Sequence, residues 1–124
     1  MTSRIAVLAI DAHDIELVAQ FWCYVLDWHV LERDDGIVSI GPDEHTTPGI
    51  DVLAVPEAKT LKNRLHLDLR ADGVSTEEEL ARLLDLGARR TDVGQPADVP
   101  WIVLADPEGN EFCLLPRTVQ EVAG

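Results

Sequence analysis

The chain has 124 residues, 46% of them hydrophobic and 27% charged, so it is long enough for one domain with its own core and too apolar to be disordered. An excess of 23 acidic over 10 basic residues gives a net charge of −13, which argues against nucleic acid as a partner. No stretch has the length and apolarity of a membrane span, and the first residues lack the layout of a signal peptide, so we expect a cytoplasmic protein without membrane contact.

The first half of the chain has the pattern of a strand, a helix and three strands. The apolar run at residues 5–10 predicts a buried strand. After Asp14, which is placed to cap a helix, apolar residues recur every three or four positions and predict a helix to about Trp28. Three segments with strand character follow, separated by turn residues: residues 29–32, 36–40 and 50–55.

The second half repeats this order after a link at residues 56–62. A capping box that begins at Ser75 or Thr76 opens a helix, and Gly87 closes it. The turn at residues 106–109 carries proline and glycine where a type I turn needs them. The strands predicted around these features are residues 64–69, a short one near 88–91, and then 101–105 and 110–115.

The two halves align at an almost constant offset. Val7 falls on His66 at an offset of 59, and Asp51 falls on Glu111 at an offset of 60. The same supersecondary unit therefore occurs twice in one chain. We predict a single domain over residues 1–124, with unit one at about 4–56 and unit two at about 63–117.

Two residues that can bind metal ions, His66 and Glu111, lie inside otherwise apolar predicted strands. A buried imidazole or carboxylate is costly to leave unpaired, so each requires a hydrogen-bond partner, a proton or a metal ion. A direct hydrogen bond between His66 and Glu111 satisfies both without any ion. The residues themselves leave both alternatives open.

The remaining histidines and the two cysteines are expected to have structural or surface roles. His13 lies beside a helix start, His29 at a helix end and His45 in a long loop, so we expect all three at the surface. Cys23 and Cys113 have apolar neighbours, which is typical of reduced core residues.

Three tryptophans and one basic cluster are candidates for contact with a ligand. All three can stack on a flat ligand, but Trp22 is on the apolar helix face and is expected in the core, and the position of Trp101 suits the core and a cleft equally. Four basic residues surround the link between the halves, where a solvated surface is the simplest expectation and anion contact is the alternative: Lys59, Lys62, Arg64 and Arg70.

The segments at residues 62–69 and 106–112, together with the repeated unit, resemble the vicinal oxygen chelate superfamily and its glyoxalase-like branch. This group includes glyoxalase I, extradiol dioxygenases, fosfomycin-resistance thiol transferases and bleomycin-resistance proteins. The resemblance implies an α+β fold of two βαβββ units, each a curved mixed sheet around a cup, and a homodimer that completes the cups.

The resemblance also implies a metal site. In metal-dependent relatives the ligands come from the first and last strands of the units, here positions 7, 51, 66 and 111. His66, Glu111 and Asp51 are thus the implied ligands of a divalent ion, and Val7 has no lone pair to offer. Imidazole and carboxylate with open positions suit Zn, Mn, Ni, Co or Fe.

Two functions follow from this resemblance. The first is a metal-assisted lyase or isomerase acting on a small oxygenated metabolite, in which the ion stabilises an oxyanion and Glu111 helps to move a proton. An iron oxygenase fits less well, because Val7 removes the second histidine that it needs. The alternative is a metal-free protein that binds a small molecule or antibiotic without turnover, as bleomycin-resistance proteins bind a cationic drug. The net charge of −13 favours this alternative.

Overall fold

The computed structural model describes residues 1–92, 94–95 and 98–124, and they form two units, Met1–Ala58 and Lys59–Gly124. Within unit 1 the order is β1 (Val7–Ala12), α1 (Ile15–Leu26), β2 (His29–Asp34), β3 (Ile37–Gly41) and β4 (Gly49–Ala54). Its sheet has the strand order β1-β4-β3-β2, with β1 parallel to β4 and the other pairs antiparallel. This is the predicted strand, helix and three strands, arranged as one mixed sheet.

Both ends of α1 are set by aspartates. Asp14 is the N-cap and accepts a hydrogen bond from the Leu17 N–H at 3.1 Å. The helix ends at Leu26, two residues before the predicted end, because Asp27 takes the left-handed conformation with φ of 56°. The face between them buries Phe21 and Trp22.

The left-handed Asp27 leads to a testable prediction. A residue with a Cβ atom is strained in this conformation, whereas glycine adopts it freely, as Gly87 does at the end of the helix in unit 2. We expect Asp27→Gly to raise the free energy of unfolding by about 1 kcal/mol, and Gly87→Ala to lower it, both measured by urea denaturation. A lower stability for Asp27→Gly contradicts this account of the cap.

Unit 2 has the same order with one addition. Its elements are β5 (Leu67–Leu69), α2 (Thr76–Leu86), β6 (Arg89–Arg90), β7 (Ile102–Ala105), β8 (Glu111–Leu114) and α3 (Val119–Ala123). The strand order β5-β8-β7-β6, with β5 parallel to β8, matches the order in unit 1. The α+β prediction of two βαβββ units with mixed sheets is therefore confirmed.

Unit 2 departs from the sequence prediction at two places. The short helix α3 was not predicted, and a capping box of Thr118 and Glu121 begins it. The first strand was predicted from residue 64 but begins at Leu67. The backbone N–H of Asn63 donates to the Glu111 side chain at 2.9 Å. Before Leu67 the backbone therefore hydrogen-bonds to a side chain and not to the neighbouring strand.

The sheet of unit 2 has one fully buried face and one face that borders a cavity, which we call the open face although its residues Val103, Ala105 and Cys113 are also buried. Phe112, Leu114 and Leu104 are fully buried, as is Leu83 of α2. Because successive residues of a strand point to opposite faces, Glu111 and Cys113 are turned away from the face that carries Phe112 and Leu114. The open face is where the candidate site lies. Among the described residues, no helix combines the length and apolarity needed to cross a membrane.

Candidate functional site

A cavity of about 410 Å³ lies on the open face of the sheet in unit 2. His66 and Glu111, the two candidate residues from this half of the sequence, both line it. Two pairs of residues reach this cavity: 66 and 68 at the start of the unit, and 111 and 113 of β8. The members of each pair are two positions apart, and residues at this spacing in an extended chain point to the same face. The other lining residues are Lys62, Asn63, Asp68, Gly94, Gln95, Trp101, Val103, Cys113 and Leu115.

The register of the strands brings these side chains together. β5 runs parallel to β8 with Asp68 opposite Cys113, and β7 sets Val103 opposite Cys113 and Ala105 opposite Glu111. The hairpin between β7 and β8 is held by Asp106, which is fully buried and accepts hydrogen bonds from the backbone N–H groups of Glu108 and Asn110, both at 2.9 Å. The predicted turn therefore sets the position at which Glu111 enters β8.

Glu111 is a buried carboxylate with two different partners. Its side chain is 8% exposed. Oε1 accepts a hydrogen bond from the Asn63 N–H at 2.9 Å. Oε2 forms an ion pair with Lys59, whose Nζ lies 2.5 Å away.

The surroundings keep Glu111 ionised. Burial is the largest single influence and raises the pKa of this carboxyl, but the Lys59 ammonium and the backbone N–H groups of Asn63 and Glu111 together outweigh it. The pKa of Glu111 therefore lies below its ordinary value of 4.5. An anion in this position is matched to a cation, which in this structure is Lys59.

This lowered pKa predicts how stability depends on pH. A group whose pKa is depressed by folding contributes stability that is fully present above its unfolded pKa and is lost as the pH falls through its folded pKa. We therefore expect Glu111→Gln to be less stable than wild type at neutral pH, and the difference to narrow as the pH falls below 4.5. Urea unfolding across this pH range measures the difference. If the difference in unfolding free energy between wild type and Glu111→Gln stays constant down to the most acidic pH, the assigned ion pair is contradicted.

His66 differs from its prediction. It was expected as a buried imidazole within a strand, but it precedes β5 and its side chain is 41% exposed. Its Nε2 lies 3.2 Å from the Asp68 Oδ1, so its carboxylate partner is its neighbour two positions along the chain. The prediction of a buried His66 is thus wrong, because β5 begins at Leu67, one residue after His66. Glu111 is buried as expected.

Cys113 adds a thiol to the same face. It is buried and forms no disulfide, and burial, followed by the nearby Asp68 carboxylate, raises the pKa of its thiol. The ligand-type atoms of His66, Asp68 and Cys113 all lie within 4.8 Å of one another. Asp68 and Cys113 were not among the predicted site residues. The signal that identifies them is the two-residue spacing from His66 and from Glu111.

Asp51 and Val7 lie in unit 1. Asp51 is half-buried on β4, opposite Ala9 of β1 and Ser39 of β3. Val7 is instead opposite Gly49, so the register of the unit 1 sheet pairs Asp51 with Ala9 and not with Val7. Neither the Val7 nor the Ala9 side chain has a lone pair for a metal ion. The ligand role of Asp51 stays a prediction.

The remaining sequence candidates occupy the following positions. His13, His29 and His45 are exposed, as predicted, and Trp22 is buried in the core. Trp101 lies at the cavity and is 38% exposed, which makes it the tryptophan available to a ligand in unit 2.

The residues of unit 2 fit a divalent cation in one specific respect. Glu111 provides an ionised, buried carboxylate, and it shares its cavity with the His66 imidazole. Imidazole and carboxylate are the ligand types that zinc, manganese and related ions take in proteins. Lys59 occupies part of the space around this carboxylate, so an ion must compete with its ammonium for Glu111.

Comparisons with known proteins show which family has this architecture. Residues 7–115 match the family model described as a glyoxalase-like domain. No curated protein matches the chain. Three similar solved structures share its fold, at identities too low to show more than the fold.

The first of the three is a glyoxalase/bleomycin resistance protein/dioxygenase family enzyme from Burkholderia phytofirmans, 21% identical, with 90% of this chain and 97% of that one covered and a TM-score of 0.61. The second is the trypanothione-dependent glyoxalase I of Leishmania major, 14% identical, with coverage of 92% and 86% and a TM-score of 0.67. The third is the fosfomycin resistance protein FosX from Listeria monocytogenes in complex with Mn(II) and dihydroxypropylphosphonic acid, 13% identical, with coverage of 98% and 95% and a TM-score of 0.69.

Proposed function

Because the chain belongs to the family of glyoxalase-like domains, in the vicinal oxygen chelate superfamily, we propose that it is a divalent-metal-assisted lyase or isomerase that acts on a small oxygenated metabolite. The observation that carries this proposal is the ionised, buried Glu111 carboxylate, which lines the same cavity as His66. Metal-dependent activity of this kind is consistent with the family as a whole; the reaction class is our proposal.

In the proposed site of unit 2, His66 and Glu111 bind the ion. Asp51, the remaining predicted ligand, lies in unit 1, and its ligand role stays a prediction. A bound divalent ion supplies Lewis acidity toward two neighbouring substrate oxygens. Such an ion comes from the group Zn, Mn, Ni, Co and Fe. The Mn(II) complex of the FosX relative with a phosphonic acid that carries two hydroxyl groups supports both the ion class and the substrate class.

The chain's own residues have separate roles in this proposal. Glu111 is a carboxylate at neutral pH, because its pKa lies below its ordinary value, and in this proposal it both binds the ion and helps to move a proton. Trp101 and Val103 form an apolar wall that excludes water from part of the cavity. Lys62 and Asn63 at the same cavity offer donors that hold an oxygenated substrate in place.

A second candidate function is a metal-free protein that binds a small molecule or an antibiotic without turnover. Lys59 favours it, because its ammonium already neutralises Glu111 without any metal. Val7 and Ala9 favour it too, because neither side chain of β1 offers a ligand beside Asp51. The net charge of −13 is suited to a cationic ligand.

Metal content and thermal unfolding distinguish the two functions. We expect protein purified without chelators or an affinity tag to hold a divalent ion and to gain about 2.7 kcal/mol of stability when that ion is present at a hundredfold excess over its dissociation constant. His66→Ala and Glu111→Ala should lose both properties, and His45→Ala, which alters an exposed histidine of unit 1, should keep them. If the wild type holds no more metal than the variants and a cationic drug stabilises it instead, the metal-free function replaces the enzymatic one.

The proposal includes two statements about the protein in the cell. We propose that it works as a homodimer in the cytoplasm, as small relatives complete their cups by pairing. Sedimentation equilibrium tests the first statement and cell fractionation the second. A monomer at micromolar concentration contradicts the paired arrangement.

A further inference from the structure

We propose that His66, Asp68 and Cys113 form a second ligand set in unit 2, which binds a soft or borderline divalent ion such as Zn²⁺. This set shares His66 with the proposed metal site but does not use Glu111. It therefore depends on two residues, Asp68 and Cys113, that the proposed function does not need.

The geometry of the sheet brings the three residues together. Asp68 is opposite Cys113 in the parallel pairing of β5 with β8, and His66 lies on the same side as Asp68, two positions earlier. The His66 Nε2 and the Asp68 Oδ1 are 3.2 Å apart, and ligand-type atoms of both residues are within 4.8 Å of the Cys113 Sγ. All three line the 410 Å³ cavity.

These separations are close to those that a tetrahedral zinc site requires. Ligand atoms at about 2.0–2.3 Å from a zinc ion, in tetrahedral arrangement, lie roughly 3.3–3.8 Å from one another. The nitrogen and the oxygen, 3.2 Å apart, are already close to this spacing. The thiol is buried and fixed by β8, whereas the side chains of His66 and Asp68 are 41% and 50% exposed, so they can move the remaining distance of about 1 Å toward it.

The chemistry of the three donors selects the ion. An imidazole, a carboxylate and a thiolate are all zinc ligands, and three protein ligands leave a fourth position open to the cavity. A thiolate favours zinc over manganese, which prefers oxygen ligands. Binding releases the thiol proton to solvent, because only the thiolate coordinates. The ion also neutralises the repulsion between the Asp68 carboxylate and the Cys113 thiolate.

The shared histidine makes the two ligand sets exclusive. The His66 Nε2 already lies 3.2 Å from the Asp68 Oδ1, so a zinc ion bound there occupies the imidazole that the proposed site with Glu111 also needs. We therefore expect zinc to weaken the binding of Mn²⁺ in wild type, and to do so much less in Cys113→Ser.

Cobalt(II) provides the decisive test, because coordination of a thiolate to cobalt gives a near-ultraviolet charge-transfer band. We expect this band in the full-length wild-type protein titrated with Co²⁺, and zinc should remove it by displacement. Cys113→Ser should abolish the band and Asp68→Asn should weaken cobalt binding at least tenfold. Cys23→Ser, which removes the free cysteine of unit 1, and Glu111→Gln should both retain it.

Each outcome of this test supports or overturns the proposal. A wild type without the band, or a band that persists in Cys113→Ser, overturns the second ligand set. Circular dichroism shows whether Cys113→Ser is folded, and the exposed Asp68→Asn provides a second variant if it is not. A failure of the proposed function is recognised by a different result. In that case Glu111→Gln leaves Mn²⁺ binding unchanged.

Discussion

Replacing Asp106 with alanine should lower the free energy of unfolding by about 3 kcal/mol. Asp106 is fully buried and accepts hydrogen bonds from the backbone N–H groups of Glu108 and Asn110 at 2.9 Å and from the Asn110 Nδ2 at 3.0 Å. Alanine leaves these half-buried donors without the carboxylate that accepts from them, and their desolvation is then uncompensated. Urea denaturation followed by circular dichroism measures the loss.

Asp106→Asn and Asp34→Ala serve as controls for this change. The amide introduced by Asp106→Asn keeps an oxygen for the two backbone donors but places an NH₂ group against Asn110, so we expect an intermediate loss. Asp34 is exposed and accepts a hydrogen bond from the next residue along the chain, so its substitution should change stability by less than about 0.5 kcal/mol. A loss below about 1 kcal/mol for Asp106→Ala is incompatible with a hairpin held by this carboxylate.

Replacing Lys59 with methionine should have the largest effect on metal binding. The ammonium and a divalent ion compete for the same Glu111 oxygen, since Nζ lies 2.5 Å from Oε2. Without its counter-ion, the buried carboxylate costs about 3 kcal/mol of stability in the metal-free protein. Added Mn²⁺ should restore that stability, and its dissociation constant should fall at least tenfold, equivalent to about 1.4 kcal/mol.

Lys62→Met is the matched control, because Lys62 lines the same cavity whereas the ion pair of Glu111 is with Lys59. We expect it to leave Mn²⁺ affinity within about twofold of wild type, since the Lys62 ammonium donates to the Asn63 carbonyl oxygen and is not paired with Glu111. Isothermal titration calorimetry with Mn²⁺ compares the three proteins. If Lys59→Met binds Mn²⁺ no more tightly than Lys62→Met does, Lys59 does not compete for the site.

Much of the fold is encoded locally and is therefore visible in the sequence. Asp14 and Ser75 cap the two long helices as their positions predict, and the turn after Asp106 closes with the expected hydrogen bond from Gly109. Strand order follows from the repeat of one unit. The ends of strands are less predictable, because the start of β5 depends on a side-chain contact between Asn63 and Glu111, 48 positions apart.

Two residues of the cavity could be picked out from the sequence, but their partners could not. His66 and Glu111 were selected as ligand-type residues within apolar strands, and both line one cavity. The partners depend on tertiary contacts that no local pattern encodes: Lys59 comes from the link before β5, and Asp68 faces Cys113 only through the parallel register. A carboxylate in a strand predicts that a partner exists, whereas the fold determines which one.

The central claim, a divalent ion held by His66 and Glu111 in the cavity of unit 2, is tested most directly by nuclear magnetic resonance with Mn²⁺. The indole N–H of Trp101 reports on this cavity because Trp101 lines it, and a Trp101→Phe variant assigns its signal. The account predicts that substoichiometric Mn²⁺ broadens this signal beyond detection in wild type and leaves it sharp when His66→Ala and Glu111→Gln are combined. A Trp101 signal that stays sharp in wild type, or broadens equally in the double variant, contradicts it.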